Sequence, residues 1–401
     1  MSASTDGLTY PIARTCPYAP PDAYAELRRE EPVRRVRMPG GGTAWLVSRH
    51  EDVRAVLGDP RMSSDRRNPG FPRIFPDQSR LIFSTKPSMI SLDGQEHAEA
   101  RRAVLGEFTV RRINALRPRV QEIVDEAIDG MLDSGGPVDL VRSLSLPVPS
   151  LVICELLGVP YSDHEFFQTR SSRFISRATP LAEREKAVFE LRDYLTELVA
   201  GKVRAPGDDL LGRQVAKQAA EGEVDEESLI SLAFLLLVAG HETTANMISL
   251  GTLALLDNPA LREEITADPA RTPGAVEELL RFFSIVDSAT SRTATADVEI
   301  GGVVIKEGEG VVALGYSANH DPEVFDEPGA LDFARTARQH VAFGFGAHQC
   351  LGQNLARVEL QIVFDALFRR IPDLRLAVEP GDIPFKEESA IYGIHELMVT
   401  W

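Results

Sequence analysis

One cysteine of this sequence lies between a glycine-rich loop and an amphipathic stretch. Cys350 follows Gly344 and Gly346 in "HVAFGFGAHQCLGQNLARVEL", and apolar residues recur after it at helical spacing. The glycines predict a loop that can pass close to a flat or bulky group. A helix that begins at Cys350 would place its sulfur at a helix N-terminus, where free amide donors favour a thiolate. The position suits a metal ligand or a nucleophile.

The low number of cysteines narrows the chemistry available to Cys350. A structural zinc site needs four Cys or His ligands at characteristic spacing, and Cys16 and Cys154 lie in unrelated segments. Iron-sulfur clusters normally need four cysteines, and c-type haem needs a CxxCH motif. The stretch "GFGAHQC" also lacks the third glycine of a dinucleotide-binding fingerprint. An axial thiolate to haem and an active-site cysteine remain as alternatives.

A second group of polar residues interrupts an apolar segment. "DEESLISLAFLLLVAGHETTANMISLGTLALLDNP" predicts a helix of about 45 Å between a cap at Asp225 and a stop at Asn258. It is apolar on nearly every face, which is typical of a helix through the middle of a large protein. Its midpoint nevertheless carries His241, Glu242 and Thr243. Buried polar groups are costly unless they are satisfied.

The polar midpoint of this helix permits two interpretations. Gly240 weakens a helix, so the cluster could line a cavity, which is the interpretation we favour. Alternatively, Thr243 could bond to a backbone carbonyl and Glu242 could form a salt bridge, which would make the cluster purely structural.

Four further residues could bind an anion. His97 and Arg101 are four residues apart and are expected on one helix face. Arg292 opens a predicted β segment, and His348 stands two residues before Cys350. Taken singly, each of these four residues would be an ordinary surface residue. Together they could bind a buried dicarboxylate.

The elements that must position these residues are mainly helical. Nearly everything from Ser91 to Asp257 is predicted as helix, and a further helix is expected from Cys350 to Arg370. Short strands are predicted in "EPVRRVRMPGGGTAWLVS", around the Gly301–Gly302 turn and in the C-terminal tail. Neither a repeat nor a linker is visible, so the sequence predicts one mainly α domain with a minor β part over residues 1–401.

Composition limits the cellular setting. The chain has 401 residues, 43% of them hydrophobic, which is enough for a large core. A formal net charge of -17 argues against binding to nucleic acid. The N-terminus lacks a secretory pattern, and the longest apolar run is too short to span a bilayer. With three cysteines the sequence fits a reducing compartment, so we expect a cytoplasmic protein that binds no membrane.

Taken together, these motifs resemble those of the cytochrome P-450 family of haem-thiolate monooxygenases. "FGFGAHQCLG" is similar to the haem-binding loop, "AGHETT" to the central-helix signature and "EELLR" to the ExxR motif. The resemblance covers essentially the whole chain. The sequence looks most like soluble bacterial members that act on secondary metabolites and xenobiotics. It therefore implies the fold of that family, with the long helix over the haem.

The resemblance also implies roles for individual residues. Cys350 would be the axial ligand of haem b (iron protoporphyrin IX), and Glu242 and Thr243 would be the catalytic acid and alcohol. His97, Arg101, Arg292 and His348 match positions that hold the haem propionates.

The ExxR motif of this chain departs from the family in one respect. Glu278 and Arg281 match a structural ion pair, but Ala330 stands where the family often has a third partner. Arg335 or Asp332 could replace that partner.

The partners are implied by the same resemblance. We expect a monomer that uses dioxygen, takes electrons from ferredoxin and ferredoxin reductase, and inserts one oxygen atom into a C–H bond of a mainly apolar small molecule. The predicted pocket segments are residues 68–84, 166–181, 238–239, 282–289 and 390–394. Four arginines nearby could recognise an acidic group of the substrate, but we expect them in a solvated loop: Arg66, Arg67, Arg73 and Arg80. Peroxygenase or nitric oxide reductase chemistry and a non-catalytic haem sensor remain as rivals.

Overall fold

The computed structural model describes residues 7–74, 85–286 and 290–401. They divide into two compact units. The first unit contains the chain up to Arg101 together with Glu277–Leu351, and the second contains Arg102–Val276 with Gly352–Trp401. Most of the described residues are helical, which confirms the mainly α prediction.

The first unit is built around a five-stranded sheet and a separate hairpin. The strands of the sheet are β1 (Val33–Arg37), β2 (Thr43–Val47), β3 (Met62–Ser63), β5 (Ser291–Ala294) and β8 (Gly310–Ala313), and those of the hairpin are β6 (Val298–Ile300) and β7 (Val303–Ile305). The strand order in the sheet is β1-β2-β8-β5-β3; β2 and β8 pair in parallel, and the other neighbours pair in antiparallel fashion. The helices of the first unit are α1 (Asp22–Glu30), α2 (His50–Gly58), the beginning of α3 (Gly94–Leu105) and the short α12 (Gly315–Ala318).

The predicted turn at Gly301–Gly302 is confirmed. The two glycines join β6 and β7, which pair in antiparallel register, and both have positive φ angles, of 55° and 78°. Two consecutive residues with positive φ angles are typical of a tight hairpin turn, and glycine adopts this left-handed backbone conformation without strain. Hydrophobic residues of this hairpin, including Val298, Ile300 and Ile305, join the core beneath the sheet.

The second unit is almost entirely helical. Its helices are α4 (Val110–Ser134), α5 (Pro147–Leu157), α6 (His164–Ile175), α7 (Leu181–Arg204), α8 (Leu210–Glu221), α9 (Glu226–Asp257), α10 (Pro259–Ala267), the beginning of α11 (Thr272–Phe283) and α13 (Gln353–Arg370). A small sheet of β4 (Val138–Asp139), β10 (Met398–Thr400) and β9 (Arg375–Leu376) completes it.

Helix α9 has the bounds that the sequence predicts. The Asp225 carboxylate caps it by accepting a hydrogen bond from the Ser228 N–H at 3.0 Å. The helix packs against α5, α7 and α13, and most of its side chains are buried. Among the described residues it is the one helix long and apolar enough to cross a membrane, but burial inside the unit explains its composition.

One detail of the helix predictions is corrected. Helix α13 begins at Gln353 and not at Cys350, because the chain from Gly346 to Gly352 forms tight turns before the helix starts. Helix α9 is unbroken at Gly240. The reason for glycine there is packing, since a Cβ atom would lie 2.9 Å from Cδ1 of Ile153 on α5.

Candidate active site

The loop before α13 is tightly folded around Cys350. The Cys350 N–H donates to the Phe343 carbonyl at 2.8 Å, and the Gly344 N–H donates to the Val341 carbonyl at 2.8 Å. Gly346 has a φ of 74°, and a Cβ atom on it would lie 2.5 Å from the Leu57 carbonyl oxygen. Glycine is therefore required at this position by both backbone conformation and close packing.

The ring of Phe345 anchors the same loop to α2. It packs against the core beneath the sheet, and the Arg54 guanidinium lies 4.3 Å from its centroid. Within this rigid loop Cys350 is half-buried, so its sulfur can be reached by a ligand.

The structure brings the four predicted anion-binding residues into the same unit as Cys350. The rings of His97 and His348 lie 4.0 Å apart, and the Arg101 guanidinium donates to the Gln349 carbonyl at 2.7 Å. Burial lowers the pKa of Arg101, and the charge of nearby Cys350 partly offsets this effect. His97, Arg101, His348 and Cys350 thus form one cluster.

Arg292 is the most strongly buried cation of this group. It lies on β5 with 5% exposure and, among the described residues, donates to the carbonyl of its neighbour Ser291 at 2.8 Å. Burial lowers the pKa of Arg292 to about 10; nearby Asp93 opposes that shift and nearby Arg66 adds to it. A buried guanidinium without a strong ion pair is unfavourable unless an anion binds beside it.

Sequence reasoning missed the groups that hold His348. Asp93 accepts hydrogen bonds from the Ser63 hydroxyl and, at 2.8 Å, from the Ser64 N–H. The Ser64 hydroxyl and Nε2 of His348 are in turn hydrogen-bonded at 2.8 Å. Burial, followed by the nearby charge of Arg292, lowers the pKa of His348 to about 3, so its ring is neutral at pH 7. Only the contacts of the folded chain reveal this support.

Arg66 departs from the expectation of a solvated loop. Its side chain is half-buried, and burial lowers its pKa. Arg67 is exposed and pairs with Asp65 at 2.8 Å, as a surface residue does. Arg80, together with residues 75–84 and 287–289 of the predicted pocket segments, lies outside the described residues.

The predicted acid and alcohol lie on α9 in the second unit. Glu242 is 2% exposed, and its carboxylate accepts a hydrogen bond from Nζ of Lys386 at 3.3 Å. The Thr243 hydroxyl is half-exposed and donates to the Ala239 carbonyl at 2.7 Å. Both contacts foreseen by the structural interpretation are therefore present. They leave the Thr243 oxygen able to accept a further hydrogen bond.

The ExxR motif forms a closed ion cluster. Arg281 donates from Nε and Nη2 to the two Glu278 oxygens, each at 2.7 Å, and both side chains are fully buried. Arg335 adds a third charge, with its Nε 3.1 Å from Glu278 Oε1, and the Asp332 N–H donates to the same oxygen at 3.2 Å. Arg335 therefore takes the place of the charged partner missing at Ala330, whereas Asp332 contributes only its backbone N–H.

The donor set of the Cys350 cluster fits a haem. Nε2 of His97 is buried and has no hydrogen-bond partner in the described part of the chain, as expected where an acidic group of a ligand would accept from it. Arg101 and Arg292 supply charge for two carboxylates, and Cys350 supplies one soft ligand. Across residues 7–74, 85–286 and 290–401, no group of three or more His, Cys, Asp or Glu could hold a metal ion.

Comparison with known proteins agrees with this geometry. A family model described as Cytochrome P450 matches residues 183–389. The vitamin D3 dihydroxylase of Streptomyces griseolus is 48% identical over 399 residues, which cover 99% of this chain and 98% of that protein.

Two solved structures are similar over almost their full lengths. Cytochrome P450 MoxA from Nonomuraea recticatena, a CYP105 protein, is 60% identical with a TM-score of 0.92, and 98% of each chain is covered. MycCI, the mycinamicin VIII C21 methyl hydroxylase of Micromonospora griseorubida, was solved with mycinamicin VIII bound. It is 42% identical with a TM-score of 0.93, covering 98% of this chain and 100% of that one. The chain therefore belongs to the cytochrome P450 family, among its bacterial CYP105 members, and is a haem-thiolate monooxygenase.

Proposed function

We propose that Cys350 is the axial ligand of haem b and that residues 1–401 form a single cytochrome P450 haem domain. The supporting observation is the cluster beside Cys350, in which the buried Arg292 guanidinium and a His97 nitrogen that has no partner among the described residues could bind an acidic ligand. In this proposal the propionates are bound by His97, Arg101, Arg292 and His348. Relatives that match over nearly their whole lengths support a single domain.

The chain contributes ligation and proton delivery to the reaction. Haem, when bound, supplies the centre at which dioxygen is activated. The Cys350 thiolate would hold this haem and would supply the electron density that favours cleavage of an O–O bond. Glu242 passes protons inward along α9, and the Thr243 oxygen accepts a hydrogen bond from a water that carries them. Thr243 must rotate away from the Ala239 carbonyl before its own proton becomes available.

The substrate is a mainly apolar small molecule, such as a secondary metabolite or a xenobiotic. Relatives named as a vitamin D3 dihydroxylase and as a mycinamicin VIII hydroxylase support a small-molecule substrate of this class. Within the second unit, Phe174 and Phe234 form an edge-to-face pair with centroids 5.7 Å apart, and Phe174 belongs to a predicted pocket segment. Displacement of water from ferric haem, monitored as a Soret shift across a compound library, tests the class. A response restricted to small charged metabolites would contradict it.

The electron donor is a ferredoxin that is itself reduced by a ferredoxin reductase, and the protein acts as a cytoplasmic monomer. A surface of the second unit suits such a partner, because Leu105 and Val110 are 47% and 60% exposed and stand close in sequence to Arg102 and Arg111. An apolar centre with a basic rim is typical of transient docking of an acidic partner. Arg112 follows Arg111 in the chain but contributes less positive charge to this surface, since it pairs with Glu107 at 2.9 Å.

Reaction stoichiometry tests the proposed function. A ferredoxin-dependent monooxygenase consumes one NAD(P)H and one dioxygen for each hydroxylated product. A peroxygenase would form product from peroxide without NAD(P)H, and a nitric oxide reductase would consume nitric oxide in place of dioxygen. A haem sensor would turn over no substrate with competent reductases.

A further inference from the structure

A short C-terminal hairpin, formed by residues 384–395, places a lysine beside the middle of α9. The Lys386 N–H donates to the Gly393 carbonyl at 2.8 Å, and the His395 N–H donates to the Pro384 carbonyl at 2.8 Å. The rings of Phe385 and Tyr392 stack with centroids 6.0 Å apart and planes 2° from parallel. The backbone on either side of Lys386 is therefore fixed by hydrogen bonds and ring packing, and its side chain starts from a defined position.

The ammonium group of Lys386 contacts two polar side chains one helical turn apart. Its Nζ lies 3.3 Å from Oε2 of Glu242 and 3.0 Å from Oδ1 of Asn246. Gly393 lies against Asn246 so closely that a Cβ atom would be 2.0 Å from its Oδ1. The hairpin thus abuts α9 at the residue next to the proposed catalytic alcohol.

Lys386 is the cation that balances the charge of Glu242. His241, the neighbouring titratable group, is fully buried and has its pKa lowered by burial, so it is neutral at pH 7. A buried carboxylate whose only counter-charge is removed becomes unfavourable as a charged group. The side chain of Lys386 is 13% exposed and that of Glu242 is 3% exposed. The lysine is therefore the more accessible member of the pair.

We propose that Lys386 is a positioning residue for proton delivery, which holds Glu242 as a carboxylate in a fixed orientation until it receives a proton. Asn246 shares the ammonium group and keeps it in place, and its own Nδ2 is a buried donor without a partner in the described part of the chain. A water molecule could accept a hydrogen bond from Nδ2 and carry protons onward to Glu242. This inference rests on the proposed role of Glu242.

Replacement of Lys386 tests the proposal. Lys386→Met should retain haem and the substrate-induced Soret shift, while turnover falls roughly tenfold and the solvent isotope effect increases. The infrared spectrum of the substrate-free protein should gain the C=O stretch of a neutral carboxyl group, because Glu242 has lost its counter-charge. Lys386→Arg should restore turnover and remove that band. Lys386→Gln provides a polar alternative if the Met variant folds poorly, and Lys306→Met, at an exposed lysine, is the matched control.

A double-mutant comparison separates this inference from the role of Glu242. If Lys386 acts through Glu242, Lys386→Met should have no further effect on turnover or on the isotope effect in a Glu242→Gln background. Slower turnover in Glu242→Gln with parental behaviour in Lys386→Met would overturn the positioning role alone. Parental behaviour in Glu242→Gln would instead overturn the assignment of the acid. Equal losses from Lys386→Met in both backgrounds would show that the lysine acts independently of Glu242.

Discussion

Arg335 donates from Nε to Oε1 of Glu278 over 3.1 Å and so occupies the charge position that Ala330 leaves empty. Its Nη1 also donates a hydrogen bond to the Asp326 carbonyl. One guanidinium therefore joins the buried Glu278–Arg281 pair to the backbone of the segment that precedes the Cys350 loop. A cluster of this kind is sensitive to the loss of any member, because the remaining charges are buried.

The first prediction concerns the stability that this cluster provides. Glu278→Gln leaves Arg281 without its counter-charge, and the free energy of unfolding should fall by about 3–5 kcal/mol. Arg335→Ala leaves the central pair intact, so its cost should be smaller, about 1–3 kcal/mol. Arg338→Ala, at an exposed arginine of the same segment, is the control. Urea unfolding in which Arg335→Ala matched Arg338→Ala would show that Arg335 contributes nothing.

The second prediction concerns the haem ligand. Reduction of the parent protein under carbon monoxide should give the strongly red-shifted Soret band typical of thiolate ligation, and Cys350→His should lose this band together with monooxygenase activity. Cys16→Ser should keep both the band and the activity, because Cys16 is exposed and is distant from Cys350 in the sequence. Retention of the red-shifted band in Cys350→His would exclude Cys350 as the ligand.

The third prediction concerns Thr243 and Glu242. Thr243→Ala should still bind haem and substrate, but reducing equivalents should appear as hydrogen peroxide at the expense of product. Glu242→Gln should mainly slow turnover, by a factor on the order of 10². Ser249→Ala removes another hydroxyl of α9 that donates to a backbone carbonyl, at 3.0 Å, and should remain coupled. Product and peroxide measured per NAD(P)H decide the matter, and parental coupling in Thr243→Ala would refute its role.

The sequence predicts the helices and the ligand loop because local signals determine them. The bounds of α9 follow from the Asp225 cap and the Asn258–Pro259 stop, and the β6–β7 turn follows from two adjacent glycines. The beginning of α13 was predicted three residues too early, because apolar periodicity extends into the turns after Cys350. Periodicity alone does not distinguish a tight turn from the first turn of a helix.

The supporting residues of the site could not be predicted, because they are distant in sequence. Ser64 reaches His348 across 284 residues, and Lys386 reaches Glu242 across 144. No spacing rule relates such pairs, since their contact depends on how the β3 segment and the C-terminal hairpin pack. Arg335 could be named as an alternative only because the vacant position at Ala330 was visible in the sequence.

The fourth prediction concerns the buried imidazole of His320. It is 3% exposed, and burial, followed by the charge of Arg281, lowers its pKa from 6.5 to about 3. Between these two values the unfolded chain binds a proton that the folded chain does not, so His320 reduces the free energy of unfolding as pH falls below 6.5. The loss is complete near pH 3.

Removal of the imidazole should make stability less dependent on pH. In His320→Gln the slope of unfolding free energy against pH should decrease by about 1.4 kcal/mol per pH unit between about pH 4 and 6. Other buried histidines, including His97 and His348, contribute with the same sign, so only the difference between parent and variant isolates His320. The exposed His395→Gln is the control. Equal slopes for His320→Gln and the parent would contradict the depressed pKa.

The last prediction concerns the docking of ferredoxin. Charge reversal at Arg102 or Arg111 should slow electron transfer, because both exposed cations flank the apolar residues Leu105 and Val110 and have no ion pair among the described residues. Arg112→Glu should have a smaller effect, since Glu107 already neutralises that guanidinium. Arg142→Glu, which makes the same change in net charge at an 85% exposed side chain, is the control.

For the parent, electron transfer should also slow as salt brings the Debye length below about 10 Å. Substrate binding and peroxide-driven turnover should remain parental in all four variants, whereas salt-independent reduction, or equal rates in Arg102→Glu and Arg142→Glu, would exclude this surface.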